Sequence, residues 1–480
     1  MGGVAKLNIH RLIYRDPHVA WDIITSHLLA VIRHSPAPPT IRIQAARILD
    51  DTLVIVPRNL TTTGALQPKV QRRVLDVLAQ QVILDSGALN NYITVEIRKM
   101  GLETLHQILQ ASGHTLVVGW ETIFQMLGSV CKPASVTSAA ASATSSPEIT
   151  RKPPPLGIVN DKNYTALVKI AFQSLTLVCD SLSQLTPEHL RLCISTLGQF
   201  GRQADTNIAL TAAESLLWGV SDSIQAKRKD VGTEPEYSAL WMFLLLEILG
   251  LCTDGRPEVR VGAIQTLFRT IQLYGATLSL VTWEECIWKV TFPLLDSITS
   301  SIRHPSNLSS VGPDADNEWD ESKILALQFI GSIFHDFLSS KIIHLPSFAK
   351  VWEVFVGHVQ DSWLYDNRSI SAPALRCLDK AVTSLADASG EVGDQIQNAL
   401  EVAWKACDEM GKAILRKSDN TELGPMPFTQ ESLIALIDVI RSIRSVHRGR
   451  QGKEWDVSRL GSLMAILKGT CNLFSRAVKN

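Results

Sequence analysis

The chain predicts an all-α fold of stacked helical hairpins, on three observations. Apolar residues recur at i, i+3, i+4 and i+7 in segment after segment, the period of a helix that buries one face. The apolar-polar alternation of half-buried strands is nearly absent. A helix-opening pattern also returns along the chain: Pro, a branched residue, Arg, small residues one turn later, then Leu. With 480 residues, 45% hydrophobic and 19% charged, there is material for about three compact domains or one extended array.

The pattern is plainest in "CTDGRPEVRVGAIQTLFRTI", Cys252 to Ile271. Asp254-Gly255 supplies a turn, and Pro257 suits the first helical position, where its missing N–H costs nothing. Val259, Ala263, Ile264, Leu267, Phe268 and Ile271 then share a face. In the next segment Thr282 is the expected N-cap with Glu285 completing a capping box. Trp283, Cys286, Ile287, Val290, Leu294 and Leu295 form its stripe, and Pro293 should kink it. The opening pattern recurs around Ile41, Arg42, Ala45, Ala46 and Leu49, and around Ile97, Arg98, Gly101, Leu102 and Leu105. Looser copies begin at Ile208, Leu325 and Ile370.

Such a spacing, roughly 50 to 55 residues, reads as a degenerate HEAT or armadillo array, an α-solenoid. Each hairpin has two apolar stripes it cannot bury alone, so neighbours stack into one core. Small residues let the paired helices approach, and Arg42, Arg98 and Arg260 are structural, each expected to pair with an acid in a neighbouring turn. An N-terminal helix should bury Val19, Ile23, Ile24, His27, Leu28 and Val31.

These elements divide the chain. Helical repeats are expected over residues 1–131, 158–302 and 321–417, with terminal helices over 428–480. Between them, the Ser/Ala/Pro-rich stretch 132–157 is expected to be disordered, 303–320 a flexible loop and 418–427 a shorter loop. The longest apolar run, from Ala239, is short and carries Glu247, so it is a buried helix and any membrane association is peripheral.

Chemistry is not legible. There is no Walker loop, no G-x-G-x-x-G, no G-x-S-x-G and no H-E-x-x-H, so no catalytic, cofactor-binding or metal-binding residue is assigned, and no small-molecule substrate. His335-Asp336 is a polar helical pair. Asp50-Asp51 and Glu284-Glu285 diverge around their helices instead of converging on a substrate. Trp283, Trp288, Trp352, Trp363 and Trp404 read as packing residues. The balance of 46 basic and 47 acidic residues gives no nucleic-acid footprint. The runs at Lys227–Lys229 and Arg448–Arg450 read as solvated loops. The eight scattered cysteines, with no C-x-x-C pair, fit a reducing compartment. Sequons at Asn59, Asn163, Asn307 and Asn367 are then chance, and "MGGVAK" has Lys6 where a myristoylation site wants Ser or Thr.

Read in long blocks, Leu251–Ile298, Trp319–Leu338 and Phe348–Val382 resemble the C-terminal region of the Mon-two family. "LNIHRLIYRDPHVAWDIITSHLLAVI" and "VEIRKMGLETLHQILQASGHTLVVGWETIFQMLGSVC" resemble the homology-downstream-of-Sec-seven helices of the large Arf exchange factors of the Sec-seven and BIG type. The resemblance implies a middle-to-C-terminal segment of a longer HEAT-repeat scaffold, lying on cytosolic faces of Golgi and endosomal membranes. The implied partners are a Dopey-family protein, an Arf-like small GTPase and a phospholipid flippase. The implied role is traffic between endosomes and the trans-Golgi, without the exchange factors' catalytic domain. Two alternatives remain at this stage: residual Arf exchange activity, and a karyopherin-like transport or assembly factor.

Because Leu267 is expected at the centre of a buried stripe, Leu267→Ala should cost about 2–5 kcal/mol. Limited proteolysis checks this: wild-type resistance in the variant would contradict the face assignment.

Overall fold

The computed structural model describes residues 2–14, 19–58, 66–83, 92–131, 162–227, 234–303, 314–388, 392–419, 428–451 and 455–477. The expected disordered stretch 132–157 lies outside them, as does most of 418–427. Among the described residues there are helices and no strand, an α-solenoid architecture of helix pairs. The residues fall into two compact units, Met1–Glu247 and Ile248–Asn480.

In the first unit, α1 (Gly2–Leu7), α2 (Ile9–Tyr14) and α3 (Trp21–Arg33) lead into four hairpins. These pair α4 (Pro39–Arg58) with α5 (Leu66–Val82), α6 (Tyr92–Ser112) with α7 (Trp120–Gly128), and α8 (Lys162–Cys179) with α9 (Pro187–Gly201). The fourth begins with α10 (Thr206–Thr211) and α11 (Leu217–Lys227), joined by a π-turn at Ala212–Leu216, and continues into α12 (Glu234–Leu251). First helices pack on first helices, α4 on α6 on α8, and second on second, α5 on α7 on α9.

The second unit repeats the scheme. It pairs α13 (Pro257–Tyr274) with α14 (Leu280–Cys286) and α15 (Phe292–Arg303), α16 (Asp314–Phe337) with α17 (Phe348–Tyr365), α18 (Arg368–Ser384) with α19 (Gly393–Asp419), and α20 (Gln430–Gln451) with α21 (Val457–Ala477). Its first-helix ladder runs α13, α16, α18, α20, and its second-helix ladder α17, α19, α21. A one-turn 3-10 segment, such as Gly113–Thr115, Leu182–Gln184 or Gly275–Thr277, connects the helices of several hairpins.

The apolar stripes explain this stacking. Val259, Ala263, Ile264, Leu267, Phe268 and Ile271 are all essentially inaccessible, and so is the stripe from Trp283 to Leu295. Small residues sit where backbones meet: a Cβ on Gly101 would lie 2.8 Å from Val82 Cγ2. Gly119 has φ 91°, in the left-handed region, and ends the turn from which α7 starts.

Several expectations are corrected. The N-cap of α14 is Ser279, whose hydroxyl accepts from the Thr282 N–H. Thr282 is inside the helix and buried, while Glu285 instead pairs with Lys289 one turn on (2.5 Å). Pro293 is accommodated by a π-turn at Ile287–Thr291 just before it, which loosens the backbone ladder where proline removes a donor. On α3 the buried side is Trp21, Thr25, Leu28, Leu29 and Ile32, whereas Val19, Ile23 and His27 are exposed. The helix is apolar over more than one face, and packing of Trp21 and Ile32 selects the face used.

Of the loop expected at 303–320, residues 314–320 are helical instead, because α16 begins at Asp314, and 304–313 lie outside the described residues. The first turns of α16 are held by a buried polar cluster. The Lys323 ammonium pairs with Asp366, which Arg303 also reaches at 3.4 Å. The Asn367 amide donates to Asp320 (2.5 Å), and Ser369 Oγ to the same oxygen (3.4 Å). Burial lowers the pKa of Lys323 against the opposing effect of Asp366.

The recurrent arginines are structural, as expected, and buried, but the partners described for them are backbone carbonyls and a hydroxyl instead of acids. Arg42 Nε donates to Ile32 O (2.8 Å) and Arg98 Nε to Val82 O (2.9 Å), each near the end of the preceding helix. Arg260 donates to Asp254 O and Ser322 Oγ (2.8 Å each), with its guanidinium 3.9 Å over the Trp319 ring. Helix C-termini leave four carbonyls without partners, and a guanidinium fork supplies donors to them. Burial depresses the pKa of Arg98 and Arg260.

A second set of side chains reaches back from the other end of the first helices. Lys227 donates to Leu185 O, Lys341 to Leu278 O (3.1 Å), and Arg450 to Leu385 O (3.0 Å), Ala386 O (3.2 Å) and Ala388 O. Gln184 donates to His114 O (2.9 Å). Each acceptor belongs to the turn of the preceding hairpin. Lys227 and Arg450, expected in solvated loops, are therefore helix-terminal residues that satisfy turn carbonyls.

Asp50 is buried on α4, accepting from Gln81 Nε2 at 3.3 Å. Burial pushes its pKa up to about 7, with Asp51 and Glu103 adding repulsion and hydrogen bonds from Thr104 and Gln81 opposing. The folded chain thus holds this proton to higher pH than the unfolded chain, whose carboxyl titrates near 3.8. Stability must fall as pH rises between those values, with the penalty complete above about 7. Asp50→Asn should raise stability by about 1–3 kcal/mol at pH 8 and by less at pH 5. Chemical denaturation at the two pH values checks this, and an equal effect at both would contradict it.

Candidate interaction surface

The sequence assigns no catalytic residue, and the places where chemistry could have hidden are used structurally. Asp254 accepts from its own turn: Arg256 N and Nε both donate to Oδ1 and Nη2 to Oδ2, all at 2.9 Å. Asp50 is buried and Asp51 exposed, so the pair diverges as expected. His335 and Asp336 lie exposed on α16. Among the described residues no group of three His, Cys, Asp or Glu side chains is placed to hold a metal. None of the described helices is long and apolar enough to cross a membrane.

The tryptophans divide. Trp283, Trp352, Trp363 and Trp404 are core, with Trp352 Nε1 donating to Ala399 O (2.8 Å) and Trp404 against Trp455 (ring centroids 4.7 Å apart). Trp288 is half-buried, its Nε1 donating to Ser347 Oγ (3.1 Å) and the Lys350 ammonium lying 5.5 Å over its ring.

One surface open to a partner is a groove of about 430 Å³ along the first helices of the second unit. Three hairpins build it. α13 supplies Gln272, α16 supplies Leu325, Gln328, Phe329 and Ser332, and α18 supplies Pro373, Arg376 and Lys380. Phe329 is fixed by stacking on Phe268 of α13 (centroids 5.4 Å apart, planes 11° apart). At Gly331 the backbones of α16 and α18 come so close that a Cβ would lie 3.1 Å from the Cys377 Cα. The buried Lys323–Asp366 pair lies at the start of the same helices and fixes their register.

Both charged residues in the lining are cations. Arg376 and Lys380 are exposed and one turn apart on α18; Arg376 pairs with Glu431 of α20 at the rim, and Lys380 Nζ reaches Ser332 Oγ at 3.4 Å. Cys377 also lines the groove, and burial pushes its thiol up to about 12, which leaves little thiolate at neutral pH. Sequence reasoning missed the groove because its members come from three hairpins; only the exposed i, i+4 cations on a helix otherwise patterned for burial could have signalled it.

Known proteins align with both units. A family model described as the C-terminal region of Mon2 protein matches residues 229–402, which include the whole groove. A second, described as Mon2/Sec7/BIG1-like, HDS, matches residues 69–145, which include Arg98 and Gly119. A MON2 homolog from Drosophila melanogaster is 28% identical over 393 residues, covering 75% of this chain and 21% of that protein. The Homo sapiens MON2 homolog is 28% identical over 418 residues, covering 78% and 22%. The brefeldin A-inhibited guanine nucleotide-exchange protein 2 of Arabidopsis thaliana is 32% identical over 110 residues, covering 21% of this chain and 6% of that protein. The chain thus spans about a fifth of the length of the MON2 homologs it matches. With one model matched over residues 229–402, a second over 69–145 and MON2 homologs aligned over three quarters of its residues, this chain is similar to the Mon2 proteins and, over a shorter stretch, to a Sec7/BIG-type protein.

Proposed function

We propose that this chain is a scaffold segment that holds partner proteins at the cytosolic face of Golgi and endosomal membranes, in traffic between endosomes and the trans-Golgi. The observation that carries this reading is an open groove with packed walls inside the helices that match the Mon2 C-terminal region. Stacked hairpins present long, stiff surfaces on which several first helices contribute to one site. Binding sites on such surfaces concentrate their energy in a few fixed apolar and cationic side chains, and Phe329 and Arg376 have that character. The partners proposed are a Dopey-family protein, an Arf-like small GTPase and, through them, a phospholipid flippase. Association with the membrane is peripheral.

Affinity capture from cell lysate, with the folded 480-residue chain as bait, tests the reading. Recovery of a Dopey-family protein or an Arf-like GTPase above a scrambled-surface control is expected. A monodisperse bait that captures neither would contradict the scaffold role for this part of the family's architecture.

A further inference from the structure

We propose that the groove formed by α13, α16 and α18 receives an acidic amphipathic helix of a partner protein, seated by one apolar side chain and two carboxylates a turn apart. The inference rests on the scaffold reading and narrows it to one site and one ligand chemistry.

Charge comes first. The two ionised groups lining the groove are the guanidinium of Arg376 and the ammonium of Lys380, and no carboxylate lines it. They stand at i and i+4 on α18, so their stems are about 5–6 Å apart along one face. Two carboxylates one turn apart on a docked helix have the same separation. Arg376 already engages a carboxylate, that of Glu431 on α20, through a pair in which both side chains are more than half exposed (59% and 63%). A pair this exposed contributes little, so an incoming acid exchanges with Glu431 at small cost. Glu431 thus shows the geometry an acidic ligand would adopt.

The apolar part follows. Leu325, Phe329 and Pro373 are half-buried residues in the lining, and the stacking on Phe268 fixes the Phe329 ring. A fixed wall loses little side-chain freedom on binding. A volume of about 430 Å³ accommodates a few side chains rather than a folded domain. Gln272 and Gln328 bring amide donors and acceptors to the same groove, suited to polar side chains flanking the anchor. A basic or nucleic-acid-like ligand is poorly matched, since a basic one meets like charge and the lining lacks the exposed aromatic platforms of base-stacking sites.

The test is selection from a displayed library of random peptides against the full chain, repeated on an Arg376→Glu/Lys380→Glu double variant. Enrichment of peptides with Asp or Glu one turn apart beside an aliphatic or aromatic residue is expected. Synthetic copies of them should bind the double variant at least about tenfold more weakly and bind a distant Lys169→Glu control normally. Enrichment of neutral or basic peptides, equal binding to the double variant, or no enrichment at all would overturn the assignment. If the charge-reversed chain loses its cooperative melt, Arg376→Gln/Lys380→Gln gives the same comparison. Lysate capture with the double variant separates the two levels of the argument. Undiminished recovery of the proposed partners would overturn the groove and leave the scaffold reading standing, whereas failure of the wild-type chain to recover them would count against the scaffold itself.

Discussion

Donation from the first helix of one hairpin to backbone carbonyls of the hairpin before it is the interaction on which this architecture depends. Near the helix starts the donors are Arg42 and Arg98, with Arg260 reaching the turn before its own helix; at the helix ends they are Lys227 and Arg450, and in the turns just after them Gln184 and Lys341. The acceptors are the groups a helical hairpin leaves unsatisfied, at a helix C-terminus or in the following turn. Stacking would bury these carbonyls beside a neighbour, where an unpaired one costs about 1–3 kcal/mol. The side chains convert that penalty into a directional contact between repeats.

Direction matters because apolar stripes alone are permissive. A leucine-rich face slides against its neighbour with small losses, since hydrophobic burial is not directional. A guanidinium fork donating to one named carbonyl is not permissive, and each such contact, at the start of one first helix or the end of another, restricts that helix's height and rotation. The buried Lys323–Asp366 pair does comparable work between α16 and α18. The groove is a product of this registration: Gln272, Phe329 and Arg376 converge because three first helices are held at fixed offsets.

Much of the fold was legible because the determinants of single helices are local. The stripe from Val259 to Ile271, Pro257 at its start and the small residue at Gly101 are contained within one or two turns of sequence, and the structure uses each as expected. The structural role of Arg42, Arg98 and Arg260 was legible too, from their place just beyond the apolar start of each helix. Their partners were not, because Ile32 O and Val82 O are backbone groups of another helix and carry no signature in sequence. Ser279 displaced Thr282 as a cap because two possible hydroxyl starts lie within four residues and side-chain geometry chooses between them. The extension of α16 back to Asp314 depends on a polar cluster assembled from four segments. The groove, assembled from three hairpins, was hidden for the same reason.

Hydrogen exchange on an Arg98→Met variant tests the central claim most directly, because methionine keeps much of the buried volume and removes every donor. The account predicts a loss of about 1–3 kcal/mol, with faster exchange concentrated at the end of α5 and the start of α6, where Val82 O loses its partner. Protection unchanged at that junction, or lost uniformly through the first unit, would contradict it.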